Sequence, residues 1–160
     1  YILLPGRASI FYGSDYVGKT NLATVTPSEK FTLDLGIDPS VTATRSLVQK
    51  NTASTGLFAS AKQTEYNYQI SISNGHEKSI DVRVWDRIPI SQDESIEILL
   101  EKLSQSLSVD DNYVKNDRPR GLLRWDIAID ANMTGEQMYG LDWEVQVARG
   151  KDVEMTPLPE

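Results

Sequence analysis

Apolar and polar side chains alternate with period two through most of this chain, the pattern of strands that bury one face and expose the other. Between Gln63 and Ser73 the even positions hold Tyr66, Tyr68, Ile70 and Ile72, and the odd ones hold Glu65, Asn67, Gln69, Ser71 and Ser73. Ser79 to Trp85 continues in the same way, with Ile80, Val82 and Val84 inward and Asp81 and Arg83 outward. Asn74-Gly75 lies between them, and because this dipeptide readily adopts positive φ it predicts an antiparallel hairpin. Nearer the C-terminus Leu123, Trp125, Ile127 and Ile129 alternate with polar residues, as do Leu141, Trp143, Val145 and Val147. The polar stretch Ala131 to Glu136, which contains Gly135, reads as the turn of a second hairpin.

Upstream, Ser9 to Tyr12 and Tyr16 to Leu22 flank the turn residues Gly13-Ser14-Asp15, and strands are predicted again over Lys30 to Leu35 and Val41 to Val48. Ile96 to Leu107 fits two periods. Ile96, Leu99, Leu100, Leu103 and Leu107 have helical spacing, whereas Ile96, Ile98 and Leu100 have strand spacing, and the reading adopted is a strand that loses its pattern by Ser104. Asn51 to Lys62 and Ser104 to Arg120, small and polar, read as mobile connections. Antiparallel strands with one apolar face and almost no helix to cover it must pack sheet on sheet. The expected fold is an all-β antiparallel sandwich of about eight strands.

At 160 residues, 39% hydrophobic and 24% charged, one core is the default, so residues 1–160 are expected to form a single sandwich domain. The chain opens at Tyr1 with no initiator Met, and it is read as a piece of a longer protein. Net charge is −7 and Lys and Arg are scattered singly, which argues against nucleic acid as a partner. No apolar run approaches the roughly 20 residues of a membrane-spanning helix. Without cysteine there is no disulfide, thiolate metal site or cysteine nucleophile, and localisation stays open.

One stretch tests this picture. GSDYVGKT, Gly13 to Thr20, satisfies the phosphate-loop pattern G-x-x-x-x-G-K-[ST]. That loop works because a helix begins at its Gly-Lys-Thr end and aims free N–H groups at the phosphates. Here Asn21-Leu22-Ala23-Thr24-Val25-Thr26-Pro27 follows, β-branched and ended by proline, so a hairpin is predicted and no nucleotide is expected. Lys19 is then a solvent-facing strand residue.

Asp86 to Glu94, DRIPISQDE, gathers carboxylates and an arginine at the exit of a strand. Trp85, Asp86, Arg87, Asp93 and Glu94 are therefore the candidate ligand-binding residues. Paired carboxylates there would suit a carbohydrate-active or carbohydrate-binding domain. The competing reading makes Pro89 and the charges a protected sheet edge. His76 is the only histidine, so neither a Ser-His-Asp triad nor a multi-histidine metal site can be assembled within the chain. Asp110-Asp111-Asn112 lacks the ordered spacing and glycine of a calcium loop. No metal or cofactor is called for, and no catalytic residue is assigned.

Several segments together resemble a known family. They are Leu4 to Phe11, Tyr16-Val17-Gly18, Phe31 to Asp38, Arg45, Tyr66 to Asn74, Asp86-Arg87-Ile88-Pro89-Ile90-Ser91 and Leu123-Arg124-Trp125. Their order resembles the C-terminal part of mucoidy inhibitor A-like proteins, a region known as domain of unknown function 4139. The resemblance implies an all-β module that follows an N-terminal β-region and a coiled coil in longer members. It also implies a cell-envelope setting, since the family name refers to bacterial exopolysaccharide production. It brings no enzymatic mechanism. The functional expectation is a non-catalytic interaction or assembly module with a protein or polysaccharide partner.

Overall fold

The computed structural model describes residues 1–12, 14–55, 61–156 and 158; Gly13 of the first turn and Leu57 and Phe58 lie outside them. The described residues form eight strands in three antiparallel sheets, joined by turns, loops and short helical turns. The chain divides into two compact units, residues 1–39 and 40–160.

The first unit is a hairpin of β1 (Gly6–Tyr12) and β2 (Asp15–Leu22), paired from Gly6↔Leu22 to Tyr12↔Asp15. The register shifts between Ile10 and Phe11, leaving Val17 as the extra residue of a bulge. Residues 15–22 are thus strand where a phosphate cradle would need a helix, and Lys19 is exposed opposite Ser9. A bridge between Leu3 and Val25 extends the ladder and buries Val25. The strand expected over Lys30 to Leu35 does not form. A strand needs a neighbour's edge, and among the described residues none pairs with this one. Instead Asp34 Oδ1 accepts the Gly36 N–H at 2.8 Å, closing a turn in which Gly36 has φ 94°.

In the second unit, β3 (Val41–Thr55), β4 (Ala61–Asn74), β8 (Tyr139–Gly150) and β6 (Ile96–Glu101) form one sheet in that spatial order. β5 (Ile80–Arg87) and β7 (Leu122–Ile129) form the other. The predicted faces are correct. Tyr66, Tyr68, Ile70 and Ile72 are buried, as are Trp125, Ile129, Leu141, Trp143, Val145 and Val147. Trp125 of one sheet meets Trp143 of the other with ring centroids 5.4 Å apart. Ile96–Glu101 is a strand with Ile96, Ile98 and Leu100 inward, as the period-two reading expects.

The first predicted hairpin forms as β1–β2, and the other two, both in the second unit, are corrected. β4 pairs with β3 and β8, and β5 pairs with β7, so neither β4–β5 nor β7–β8 is a hairpin. Each connection carries the chain from one sheet to the other. Asn74 shows why. Its side chain is fully buried, and its Nδ2 donates to the carbonyls of Lys78, Ile129 and Asp130 while Oδ1 accepts the His76 N–H. The Asn-Gly pair ties an inter-sheet crossing together at the point where a hairpin was expected.

Where they are described, the two segments read as mobile are paired or anchored; residues 56–60 of the first lie outside the described ones. β3 and β4 pair all the way from Val41↔Asn74 to Thr55↔Ala61, because small β-branched residues satisfy a ladder without needing an apolar face. The segment 104–120 is anchored by main-chain bonds from Ser104 N–H to the Asp142 carbonyl and from Ser108 N–H to the Arg124 carbonyl. It buries Leu107 and Tyr113, and the Tyr113 hydroxyl donates to the Leu122 carbonyl at 2.9 Å. Its few apolar residues are spaced irregularly, which is why no periodic signal marks it.

Candidate functional site

The inward row of β3 reads Val41, Ala43, Arg45, Leu47, since their partners on β4 are Asn74, Ile72, Ile70 and Tyr68. A charged side chain in such a row needs a partner. The Arg45 guanidinium lies 4.1 Å from the Tyr68 ring centroid, and its Nε donates to Asp86 Oδ2 at 2.8 Å. Asp86 sits on the inward row of β5 after Val82 and Val84, so this ion pair joins the two sheets. The other carboxylate oxygen, Oδ1, accepts the N–H of Arg87 at 2.7 Å. Burial raises the Tyr68 phenol above its ordinary pKa, and the hydrogen bond and charge of Arg45 partly offset this.

Beside this pair the chain leaves its strand through Ile88-Pro89-Ile90, and a cleft of about 360 Å³ opens between that segment, Tyr68, Arg87 and Arg120. Arg120 is held in place by its successor. A short helical turn, Arg118–Arg120, ends at Gly121 with φ 76°, and the Gly121 carbonyl accepts the Ile88 N–H at 2.8 Å. A Cβ on Gly121 would lie 2.4 Å from the Ile88 carbonyl oxygen, so only glycine permits this approach. Three arginines and one carboxylate therefore meet in a cleft with an apolar wall, on a chain whose net charge is −7. Arg87 and Arg120 are exposed, and among the described residues neither makes an ion pair. Guanidinium groups so arranged suit a carboxylate or phosphate.

Of the five residues singled out from the sequence, Asp86 and Arg87 line this cleft. Trp85 lies on the opposite face of β5, 45% exposed, with its ring edge-on to Tyr113 and under the Arg124 guanidinium at 5.7 Å. Asp93 closes the turn before β6 by accepting the hydroxyl and N–H of Ser95, and these bonds hold its carboxyl below the usual range. Glu94 is exposed in the same connection. Sequence reasoning missed Tyr68 and Arg120 as site residues. Arg45 was detectable as the single charge in an otherwise apolar-or-small inward row.

The buried charges Arg124 and Glu144 are matched, as is the exposed Arg83. Arg124 Nη2 meets Asp126 at 2.9 Å and Nη1 meets Asp110 at 3.2 Å; Arg83 Nε meets Asp126 at 2.8 Å. Glu144, on the outward row of β8 yet buried, pairs with Lys102 Nζ at 2.7 Å. Among the described residues no group of three histidine, cysteine or acidic side chains could hold a metal ion, and no helix is long and apolar enough to cross a membrane.

The fold and site define an antiparallel, sandwich-like β-domain with an arginine-rich cleft at the rim between its sheets. The chain belongs to the family of the domain of unknown function DUF4139, whose model matches residues 4–155. It is similar to Protein F37C4.5 of Caenorhabditis elegans, 25% identical over 151 residues that cover 94% of this chain and 25% of that protein. The chain thus spans about a quarter of the length of that relative. No solved structure matches it.

Proposed function

We propose that this chain is a non-catalytic interaction module of a larger protein, and that the cleft beside Arg45 and Asp86 holds an anionic group of its partner. The observation that carries this reading is the pair Arg87 and Arg120, unpaired among the described residues, beside an ion pair that already satisfies Asp86. Arginines line the cleft while its carboxylate is occupied, so an incoming anion meets cationic donors and no open negative charge. The non-catalytic part draws on the carboxylates themselves. Asp86, Asp110, Asp126 and Glu144 are each engaged by an arginine or lysine, which favours structure over proton transfer. The carbohydrate alternative draws on Trp85, Asp86, Asp93 and Glu94, and of these Asp86 alone lines the cleft. The envelope setting draws only on the resemblance to mucoidy inhibitor A-like proteins.

Titration of the labelled chain with inorganic phosphate and with succinate, followed by amide chemical shifts, tests the site. Shifts centred on Arg87, Ile88 and Arg120, abolished in Arg87→Ala/Arg120→Ala and weakened by salt, are expected. Millimolar anion that leaves these amides unmoved, or moves them equally in the double variant, overturns the reading.

A further inference from the structure

The second sheet has only two strands, and its two outer edges are treated differently. In an antiparallel pair, residues whose N–H and C=O face the partner alternate with residues whose groups face away. The Ile88 N–H donates to the Gly121 carbonyl, which continues the β5–β7 register and places the even residues of β5, Ile80 through Asp86, toward β7. The odd residues Asp81, Arg83, Trp85 and Arg87 then direct their main-chain groups away from β7. On β7 the first half of the corresponding outer edge, Leu122 to Arg124, is covered by the chain itself. The Ser108 N–H reaches the Arg124 carbonyl, the Arg124 N–H reaches the Tyr113 hydroxyl, and that hydroxyl reaches the Leu122 carbonyl. On β5 only the last outward N–H, that of Arg87, is capped, by the Asp86 carboxylate. Among the described residues the main-chain groups of Asp81, Arg83 and Trp85 on this edge meet no partner.

Beside this open edge the sandwich lacks a strand. The first sheet has four strands and the second two, and β3 is left without cover on its inward face: Ala43 has the inward parity of buried Ile72 yet is exposed. A groove of about 460 Å³ runs there, lined by Val41, Ala43, Ile72, Val82 and Val84 and closed at one end by Arg45 and Asp86. The outward row of β5 carries charge at both ends. Asp81 and Arg87 are exposed and have no ion pair among the described residues, whereas Arg83 between them is paired with Asp126.

We infer that the free edge of β5 receives an extended segment of a partner protein as a third, antiparallel strand, one with alternate β-branched apolar side chains, an acidic residue opposite Arg87 and a basic residue opposite Asp81. Main-chain bonds to Asp81, Arg83 and Trp85 give the segment its hold. Its inward side chains fill the groove above Ala43, and the two terminal charges fix its direction, since opposite charges facing each other across strands attract and like charges repel. This shares Arg87 with the anion cleft but goes beyond it, because the hold rests on the main-chain groups of Asp81, Arg83 and Trp85 and on the apolar groove, and Arg120 takes no part.

Two measurements on the chain decide it. In the free protein the amides of Asp81, Arg83 and Trp85 exchange quickly while those of Val82 and Val84 are protected; equal protection of all five means the edge is already covered and overturns the inference. The peptide Glu-Thr-Thr-Val-Thr-Ile-Lys, added to the labelled chain, is expected to slow exchange at those three amides and to shift Ala43 and Ile72. The same peptide with its two charged residues exchanged binds more weakly. Asp81→Pro removes one outward donor and one charge without touching the β5–β7 ladder, and weakens the peptide by roughly tenfold. Absence of protection at millimolar peptide, or equal binding of the charge-exchanged peptide, overturns the inference. Protection that grows with protein concentration alone places a second copy on the edge and equally overturns the foreign strand. Retained phosphate shifts at Arg120 with no peptide effect would separate failure of this inference from failure of the cleft.

Discussion

Arg45 on β3 and Asp86 on β5 meet at 2.8 Å across the space between the two sheets, with the guanidinium lying over the Tyr68 ring. The two partners do not lose equally when separated. The Asp86 side chain is 11% exposed and that of Arg45 28%, so removing the arginine strands a nearly buried carboxylate. Arg45→Ala is expected to cost about 2–3 kcal/mol, somewhat under the range for a fully buried pair. Asp86→Asn keeps an acceptor for Arg87 N–H and leaves Arg45 on its aromatic face, so roughly 1 kcal/mol is expected. Urea unfolding of both variants checks the order, and equal losses would show that the pair is not desolvated.

The crossing between β4 and β5 is knotted around one side chain. Asn74 donates to three carbonyls and accepts one N–H, adding to the main-chain bonds from Asn74 N–H to Met133, Gly75 N–H to Ser40 and Asn132 N–H to His76. Asn74→Ala leaves those groups without it in a buried place, at a cost of roughly 3 kcal/mol or more. Asn74→Asp sets a carboxylate against the carbonyls and is expected to be worse at neutral pH than in mild acid. Denaturant midpoints of the two variants at pH 7 and pH 5 make the comparison.

Strand faces and most strands were legible in the sequence, Lys30 to Leu35 excepted; of the strand partners only the β1–β2 hairpin was. Tyr66 to Ile72 and Leu141 to Val147 bury the side chains that alternation assigns to the core, because period two is a property of one strand. Pairing is a property of two strands, and Asn74-Gly75 permits a tight turn without requiring one. What decided it was the carbonyls of Ile129 and Asp130, more than fifty residues away, which no local pattern reports. The site was half legible for the same reason. Asp86 and Arg87 stand out as a cluster, whereas Tyr68 looks like any core residue and Arg120 is brought beside them by the approach of Gly121 to Ile88.

That approach makes Gly121 the most restrictive position near the cleft. Gly121→Ala meets both a positive φ and a backbone oxygen that cannot move aside cheaply. Strain of roughly 1–3 kcal/mol is expected from the backbone angle alone. The Ile88 amide, bonded to the Gly121 carbonyl, should lose its exchange protection in this variant, and anion binding at Arg120 should weaken with it. Gly135→Ala offers a control, since it also has positive φ but no atom within 4 Å of the new Cβ.

The stretch GSDYVGKT makes a separate prediction. Lys19 is exposed on β2, and residues 15–22 form a strand rather than the start of a helix. A nucleotide at a hundred times its Kd would add about 2.7 kcal/mol of stability. Millimolar magnesium ATP is expected to shift the thermal midpoint of Lys19→Ala no less than that of the parent chain, and by no more than the same concentration of inorganic phosphate does.

Acid should weaken the second unit in part through Asp126. Its carboxylate accepts the Ser108 hydroxyl at 2.6 Å and Arg83 Nε at 2.8 Å and is also bonded by Arg124. These partners, the Ser108 hydrogen bond foremost, hold its carboxyl well below the usual range. An unfolded aspartate titrates near about 3.9, so below that pH the unfolded chain takes up a proton that the folded chain still refuses. The stability from this group is therefore complete above roughly pH 4 to 5 and is lost as pH falls toward the folded-state pKa. Asp110 and Asp93 are lowered too, by the Tyr113 N–H and the Ser95 hydroxyl respectively, and add to the same slope. Asp126→Asn should lower the thermal midpoint at pH 7, and the gap from the parent chain should narrow as pH falls below about 4. Because the side chain is 41% exposed, solvent screening keeps the effect modest. Melting curves from pH 7 to pH 2 test this, and a gap that stays constant across the range would show that the Ser108–Asp126–Arg83 arrangement does not persist in solution.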